Sequence, residues 1–348
     1  MDLRALRSNV QNLRRRLPAA TRFIAVLKAD GYGHGARPVA EAALAGGAWG
    51  LAVVTLEEAA AIRDLLPPER TLVLGPLLVE DAPEAASAGY ALGVSTIEVA
   101  RALSAAAGSR RVPVHLKLDT GMGRYGAVPG EFSELTAFVT SASGLELAGT
   151  WTHLASSDSD PDYTREQYER FLAATQGLPG LRHLANSGAV LRHPETALDA
   201  VRVGIAMYGC EAPAMEPVLR LQAHVAQVKS VPAGASIGYG RTWTAAAPTR
   251  IATVTIGYAD GVHRARSSRG DVLVRGRRVP LVGRVSMDSI TLDVSAVPGV
   301  EAGDIATLIG ADRDERIRAE EVAEWSGTIS YEVLTSIGAR VARAYLNS

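Results

Sequence analysis

"FIAVLKADGYGHG", residues 23–35, carries an apolar run straight into a lysine and a glycine-rich turn. The run is nearly continuous rather than alternating, the pattern of a strand buried on both faces of a parallel sheet. Similar runs recur at fairly regular intervals through residue 210: "RFIAVLKA", "AWGLAVVT", "TLVLGPL", "YALGVST", "VPVHLKLDT", "LELAGTWTHL", "LRHLANS" and "AVRVGIAMYG". Alanine-rich stretches of helical composition lie between them, such as "RPVAEAALAG", "TIEVARALSAAA" and "TREQYERFLAAT". Strand-then-helix units repeated in this way predict an α/β fold, a (β/α)8 barrel of the TIM type. A doubly wound open sheet is the rival, and the count of runs favours the barrel.

After residue 213 the rhythm changes. "VLRLQAHVAQVKSV", "RIATVTIGYADG", "DVLVRGRRVPLVGRVSM", "ITLDVSAV" and "DIATLIG" read as shorter, partly alternating strands with hairpin-like turns. The expected organisation is therefore a barrel over 1–213 and a smaller, mostly β domain over 214–348, with the boundary near "EAPAMEP".

Composition bounds the function. The chain has 47% hydrophobic and 21% charged residues and a net charge of −1, a globular composition that argues against a nucleic-acid or anionic-membrane surface. Its longest uncharged apolar stretch, residues 42–56, is too short for a bilayer and is broken by glycines. Cys210 is the only cysteine, so no intrachain disulfide is possible and a cytoplasmic location is expected. No metal site is expected.

Of the 36 basic residues only three are lysines, and one of them, Lys28, follows the first apolar run. Arginine would supply the same charge. It would not supply an amine that gives up its proton and attacks a carbonyl. Barrel chemistry sits at the C-terminal ends of the strands, and several runs end there in groups an apolar core would not choose. Lys28 leads to Tyr32 and His34; the fifth run carries Lys117 and Asp119, then Arg124. The sixth ends in His153, the seventh in His183, Asn186 and Ser187, and the eighth carries Arg202 and Gly204. For Arg202 in an apolar strand, a salt bridge is the default expectation. Loops after strands seven and eight of such barrels commonly bind phosphate, and Ser187 and Gly204 fall there. A reactive lysine facing a phosphate site suggests pyridoxal phosphate, held as an imine at one end and anchored at the other. A sugar-phosphate isomerase would use the barrel and the phosphate site but has no evident need for the lysine.

"AVLKADGYGHG", "KLDTGMGRYG", "THLASSD", "ANSGA", "VRVGIAMYG", "GYGRTW", "IGYADG", "VGRVSMDS" and "TISYEV" follow one another nearly end to end. Together they resemble the alanine racemases, the barrel-fold pyridoxal-phosphate family. The resemblance implies interconversion of L- and D-alanine, supplying D-alanine for peptidoglycan, in a homodimer whose active sites are shared. Lys28 matches the lysine that holds the cofactor as an imine and acts as base on one face of the substrate carbon. Tyr239 matches the base on the opposite face, which reaches the partner subunit's site. Two faces are needed because a single residue would tend to return the proton where it came from. A tyrosine with a pKa of about 10 is a poor base at neutral pH, and the resemblance places His153 beside it to ease the transfer.

Arg202 matches the arginine that hydrogen-bonds the pyridine nitrogen, and His183 its supporting partner. Arginine does not hand over its proton, so the ring stays a weaker electron sink and transamination is disfavoured. Tyr32, Ser187, Gly204, Ile205 and Tyr331 match phosphate contacts, with His153 and Asn186 also expected at the cofactor. Arg124 and the Met287 backbone match substrate-carboxylate contacts, and Tyr258 matches a residue of the narrow access channel. Lys117 matches a position that some members carbamylate, turning a cation into an anion that orients Arg124. Members of the family usually have a short strand before "DLRALRSNV", whereas this sequence begins there almost at once, and Ala339 stands where some have tyrosine. A racemase of serine or lysine on the same scaffold is the nearest alternative. A non-catalytic pyridoxal-phosphate carrier is the other, although such proteins typically lack the β domain.

Overall fold

Eight parallel strands close into a barrel: β1 (Arg22–Val26), β2 (Gly50–Val53), β3 (Thr71–Val73), β4 (Ala91–Val94), β5 (Val112–Lys117), β6 (Leu145–Trp151), β7 (Leu181–His183) and β8 (Ala200–Val203). Each pairs with the next, and β8 returns to β1 with Ala200 opposite Arg22 and Arg202 opposite Ile24. The computed structural model describes residues 1–346. The barrel is the one expected from the apolar runs, and the open-sheet rival is set aside by the β1–β8 pairing.

Local sequence explains the connections. Thr55 caps the helix Leu56–Ala60 and Glu58 closes the capping box; Thr96 caps Ile97–Ala106 and Asp160 caps Pro161–Thr175. A helix ahead of the barrel, Leu3–Arg14, buries Leu3, Leu6, Val10 and Leu13, a stripe at helical spacing.

Compactness divides the chain into two units. One comprises Leu3–Gly31 and Gly35–Met207 and holds the barrel. The other gathers Met1–Asp2, Tyr32–His34 and, of the described residues, 208–346. Its strands are β9 (Leu221–Val231), β10 (Ser236–Ile237), β11 (Trp243–Thr244), β12 (Thr249–Val254), β13 (Asp271–Val274), β14 (Arg277–Pro280), β15 (Ile290–Asp293), β16 (Ile305–Asp312) and β17 (Glu315–Ile317). They form an antiparallel sheet in the order β14-β13-β16-β9-β12-β15, with β17 on β16 and a separate β10–β11 hairpin. Ile237, Ile251 and Val282 make a small apolar core there.

Within the barrel, alternation along β5 places His115 and Lys117 on one face. Their neighbours on that face, His183, Trp151 and Arg202, show that it is the barrel interior. Branched apolar residues usually fill this space. Here a polar column runs through it.

Candidate active site

The turn after β1 presents Lys28 on an unusual backbone. Ala29, Asp30, Gly31, Tyr32 and Gly33 all have φ between 52° and 77°, a left-handed turn that costs non-glycine residues about 1–2 kcal/mol each. Side chains and backbone hold it in place. The Ala29 N–H donates to Glu58 Oε1 at 2.7 Å, and Glu58 Oε2 accepts from Val54 N–H at 2.7 Å. The Ala36 N–H donates to Asp30 Oδ1 at 2.7 Å, and the Gly31 N–H to the Leu27 carbonyl. Gly33 is required where it stands: a Cβ there would sit 2.6 Å from the Leu334 carbonyl oxygen. Glu58 is a functional support the sequence did not reveal, since its helix-capping role was the only local signal.

Lys28 is half-buried, and its pKa is lowered by desolvation first and then by Arg124, with Glu58 opposing and Arg202 adding. Lys117 is buried. Its ammonium lies 3.2 Å from the Tyr125 ring centre and 4.7 Å from that of Trp151, and its Nζ has no hydrogen-bond partner. Burial, then Arg124 and Arg202, bring it down to about 7. Arg124 stands in the loop that follows. Asp119 shapes that loop by accepting the N–H groups of Gly121, Met122 and Gly123 at 2.9 to 3.2 Å, a nest of the kind that binds anions.

Arg202 does not have the expected salt bridge; among the described residues no carboxylate pairs with it. Its Nη1 donates to His183 Nδ1 at 2.8 Å and to the His183 carbonyl at 2.9 Å. Its Nη2 donates to the Thr152 carbonyl at 2.8 Å, with His153 Nδ1 and the Leu184 carbonyl at 3.4 Å. Carbonyl oxygens and neutral rings satisfy the buried cation without a second charge. Of the five guanidinium N–H groups, only that on Nε is left over. Burial lowers Arg202 to about 9, which leaves it charged at neutral pH. His153 is brought down to about 3 by burial and then by Arg202, Lys117, Arg124 and Lys28. Lys117 and Arg124 lie 3.2 and 5.0 Å from the Tyr125 ring centre, and Lys117 and Arg202 each 4.7 Å from that of Trp151, so positive charge gathers at the C-terminal mouth.

Ser187 ties the loops after β7 and β8 together: its Oγ accepts the Gly204 N–H at 3.1 Å and the Ala206 N–H at 3.3 Å. Ile205 is buried beside them. The Asn186 side-chain oxygen is committed to structure, accepting the Ala189 N–H at 3.0 Å and the Ser157 hydroxyl at 2.8 Å.

The second unit holds the remaining residues. Tyr32 is buried, its ring 4.9 Å from Tyr208 and 6.0 Å from Tyr331, and burial followed by Tyr331 pushes its hydroxyl above the usual range. Tyr239 begins the turn Tyr239–Arg241 and is 72% exposed; Tyr258 and Met287 are exposed as well. Tyr258 N–H donates to the Ser286 carbonyl and Ala259 N–H to that of Met287, both at 3.0 Å. Gly257 permits this approach, because a Cβ would lie 2.3 Å from the Met287 oxygen. Arg340 braces the same loops through Asp260 and Asp288 at 2.5 and 2.6 Å, a long-range contact no local pattern announced. Among the described residues no cluster of histidine, cysteine or carboxylate side chains could hold a metal, and no helix is long and apolar enough to cross a membrane.

A closed parallel barrel with a lysine of lowered pKa at its C-terminal mouth, followed by a β unit, is the frame of a barrel enzyme. The comparisons narrow the class. The alanine racemase N-terminal domain profile matches residues 1–212 and the C-terminal domain profile residues 218–345. An alanine racemase of Desulfosudis oleivorans is 43% identical, the match covering 100% of this chain and 96% of that protein. The structure of alanine racemase from Streptomyces coelicolor superposes with a TM-score of 0.94 at 38% identity, over 100% of this chain and 97% of the other. That from Bartonella henselae, with covalently bound pyridoxal phosphate, gives 0.92 at 30% identity, over 99% and 98%. The chain belongs to the alanine racemase family. It is an isomerase of L- and D-alanine, and supplying D-alanine for peptidoglycan is the general role of that family. Neither a racemase of another amino acid nor a carrier is favoured, and the match extends through the β domain.

Proposed function

We propose that the racemase works with pyridoxal 5′-phosphate attached to Lys28, in a cytoplasmic homodimer with shared sites. The observation that carries this reading is the C-terminal mouth, where Lys117 and Arg124 flank the Tyr125 ring at 3.2 and 5.0 Å, Arg202 Nη2 lies 3.4 Å from His153 Nδ1, and Arg124 and Arg202 help lower the pKa of the half-buried Lys28. Such an excess of positive charge suits a phosphate at one end and a substrate carboxylate at the other. The residues fit the cofactor. Arg202 has one open donor, on Nε, for a pyridine nitrogen, and keeps its proton at neutral pH. Ser187, Gly204 and Ile205 offer a hydroxyl and backbone where the phosphate belongs. For Tyr32, Tyr331 and Asn186 the cofactor reading rests on the resemblance alone. When bound, the cofactor would supply an electron sink that makes the α-proton of alanine removable.

The chain's own residues then do the proton work. Lys28, its amine already disposed to lose a proton, holds one at one face of the substrate carbon. Arg124 orients the carboxylate. Tyr239 serves the other face, and its 72% exposure in a single chain is the argument for a second copy. A phenol in bulk water is a poor base; enclosed by a partner's barrel beside neutral His153, it can exchange a proton. Tyr258 and the Met287 backbone would be delivered with it. Residues 1–213 form the cofactor-binding portion in this reading and 214–348 the portion that brings Tyr239. Lys117, buried without a hydrogen bond beside two cations, is poised for carbamylation, and ¹³C NMR with labelled bicarbonate should show a carbamate lost in Lys117→Ala.

Borohydride reduction followed by digestion and mass spectrometry tests the central claim. The cofactor's mass should appear on the peptide holding Lys28; its appearance on any other peptide would overturn the assignment.

A further inference from the structure

The opposite, N-terminal mouth of the barrel opens into a cavity of about 840 Å³. Arg22, Arg70 and Arg111 line it, beside Trp49, Glu69 and Glu146. The Arg22 and Arg70 guanidiniums lie 4.4 and 5.6 Å from the Trp49 ring centre. Arg111 is fixed through two N–H groups to the Leu145 carbonyl, at 3.2 and 2.9 Å. None of the three arginines forms an ion pair among the described residues, although two glutamates share the cavity. One positive charge is in excess. Racemisation at the other end of the barrel has no use for this arrangement.

The cavity meets the polar column at His115, which lines it and is only 5% exposed. His115 Nδ1 lies 2.8 Å from His183 Nε2, and His183 Nδ1 lies 2.8 Å from Arg202 Nη1. Arginine only donates, so His183 Nδ1 must accept. His183 is neutral, so it carries its proton on Nε2 and donates to His115 Nδ1. His115 is therefore left with its own proton on Nε2. The chain of donors runs one way, from the C-terminal mouth toward the cavity, and ends at the N–H of His115, which lines it.

We propose that the N-terminal mouth binds a small oxyanion, a carboxylate or a phosphate, among Arg22, Arg70 and Arg111 with His115 as the deepest donor, and that the His115–His183 pair couples its occupancy to Arg202. The coupling rests on the role given to Arg202 above; the binding does not.

Calorimetric titration of the holoenzyme with sodium citrate and with sodium phosphate, at constant ionic strength, tests the site. Saturable binding is expected, weakened by about tenfold or more in R22Q/R70Q, whose side chains are exposed and whose fold is checked by circular dichroism, and unchanged in Arg124→Leu. Absence of saturable binding by either anion overturns the proposal. So does binding that is lost in Arg124→Leu but kept in R22Q/R70Q, which would place the anion at the catalytic end. For the coupling, ¹⁵N-histidine NMR should show the Nε2–H signals of His115 and His183 moving together on saturation, whereas movement of His115 alone would disprove it. The weakening of binding by R22Q/R70Q should persist in a Lys28→Ala background. Failure of cofactor attachment to Lys28 and failure of anion binding are thus read out separately.

Discussion

The two mouths of the barrel are both cationic, and they are cationic in different ways. β1 begins with Arg22 and is followed by Lys28; β5 is preceded by Arg111 and ends in Lys117. At the N-terminal mouth the arginines are exposed, one stacking on Trp49 at 4.4 Å. At the C-terminal mouth the lysines lose solvent, and their pKa values fall for that reason first. A guanidinium holds an ion without ever becoming a base; a desolvated amine can do both. On the proposed reading the same strands carry binding at one end and proton chemistry at the other.

The sharpest way to break that contrast is Lys28→Arg. It keeps the charge and should nonetheless bring racemisation to background and abolish the borohydride adduct; measurable activity would mean the amine is not the nucleophile. Next in size is a complementation test of the second copy. Lys28→Ala and Tyr239→Phe homodimers should each be inactive. Unfolded together and refolded as a mixture, they should regain about a quarter of wild-type activity, since half the dimers are mixed and each has one intact site. No recovery in verified mixed dimers would confine both residues to one chain's own site.

A smaller effect separates the barrel interior from its surface. His115 and His153 fall from 6.5 to about 3, chiefly by burial. Between those values the unfolded chain takes up protons that the folded chain refuses, so stability should fall as pH drops from about 6.5 toward about 3. Each histidine contributes a slope of up to about 1.4 kcal/mol per pH unit. Urea unfolding at steps below pH 7 checks this, and a weaker slope in His115→Gln would assign part of it. A flat profile would show that the column is solvated.

Much of this architecture is legible in the residues. All eight barrel strands announce themselves as apolar runs because burial on both faces leaves no room for polar alternation. In the second unit the long strands are visible, but β10, β11 and β17, two or three residues each, are too short to show a period. The run "LEEAAAIRDLL" looks like one helix, yet only Leu56–Ala60 is helical, and the rest unwinds into turns. Site residues at strand ends can be found because they interrupt apolar runs. Their supports cannot. Glu58 reaches the Lys28 turn from the helix Leu56–Ala60 after β2, Arg340 reaches Asp260 across 80 residues of chain, and His115 hides as a polar residue inside β5. Arg202 shows why expectation fails at this level. Sequence offers no way to know that carbonyl oxygens and imidazoles, rather than a carboxylate, would surround it.

The left-handed turn behind Lys28 has a consequence for engineering. Ala29 is exposed and sits at φ 53°, ψ 53°, where its methyl group does nothing but crowd the backbone. Replacing it with glycine, ordinarily a loosening change, should here raise the melting temperature, by the equivalent of roughly 1 kcal/mol or less once glycine's greater freedom in the unfolded chain is subtracted. The segment behaves like a compressed spring that the rest of the barrel keeps shut, and shaving one carbon from it would let the Lys28 amine rest on an easier frame.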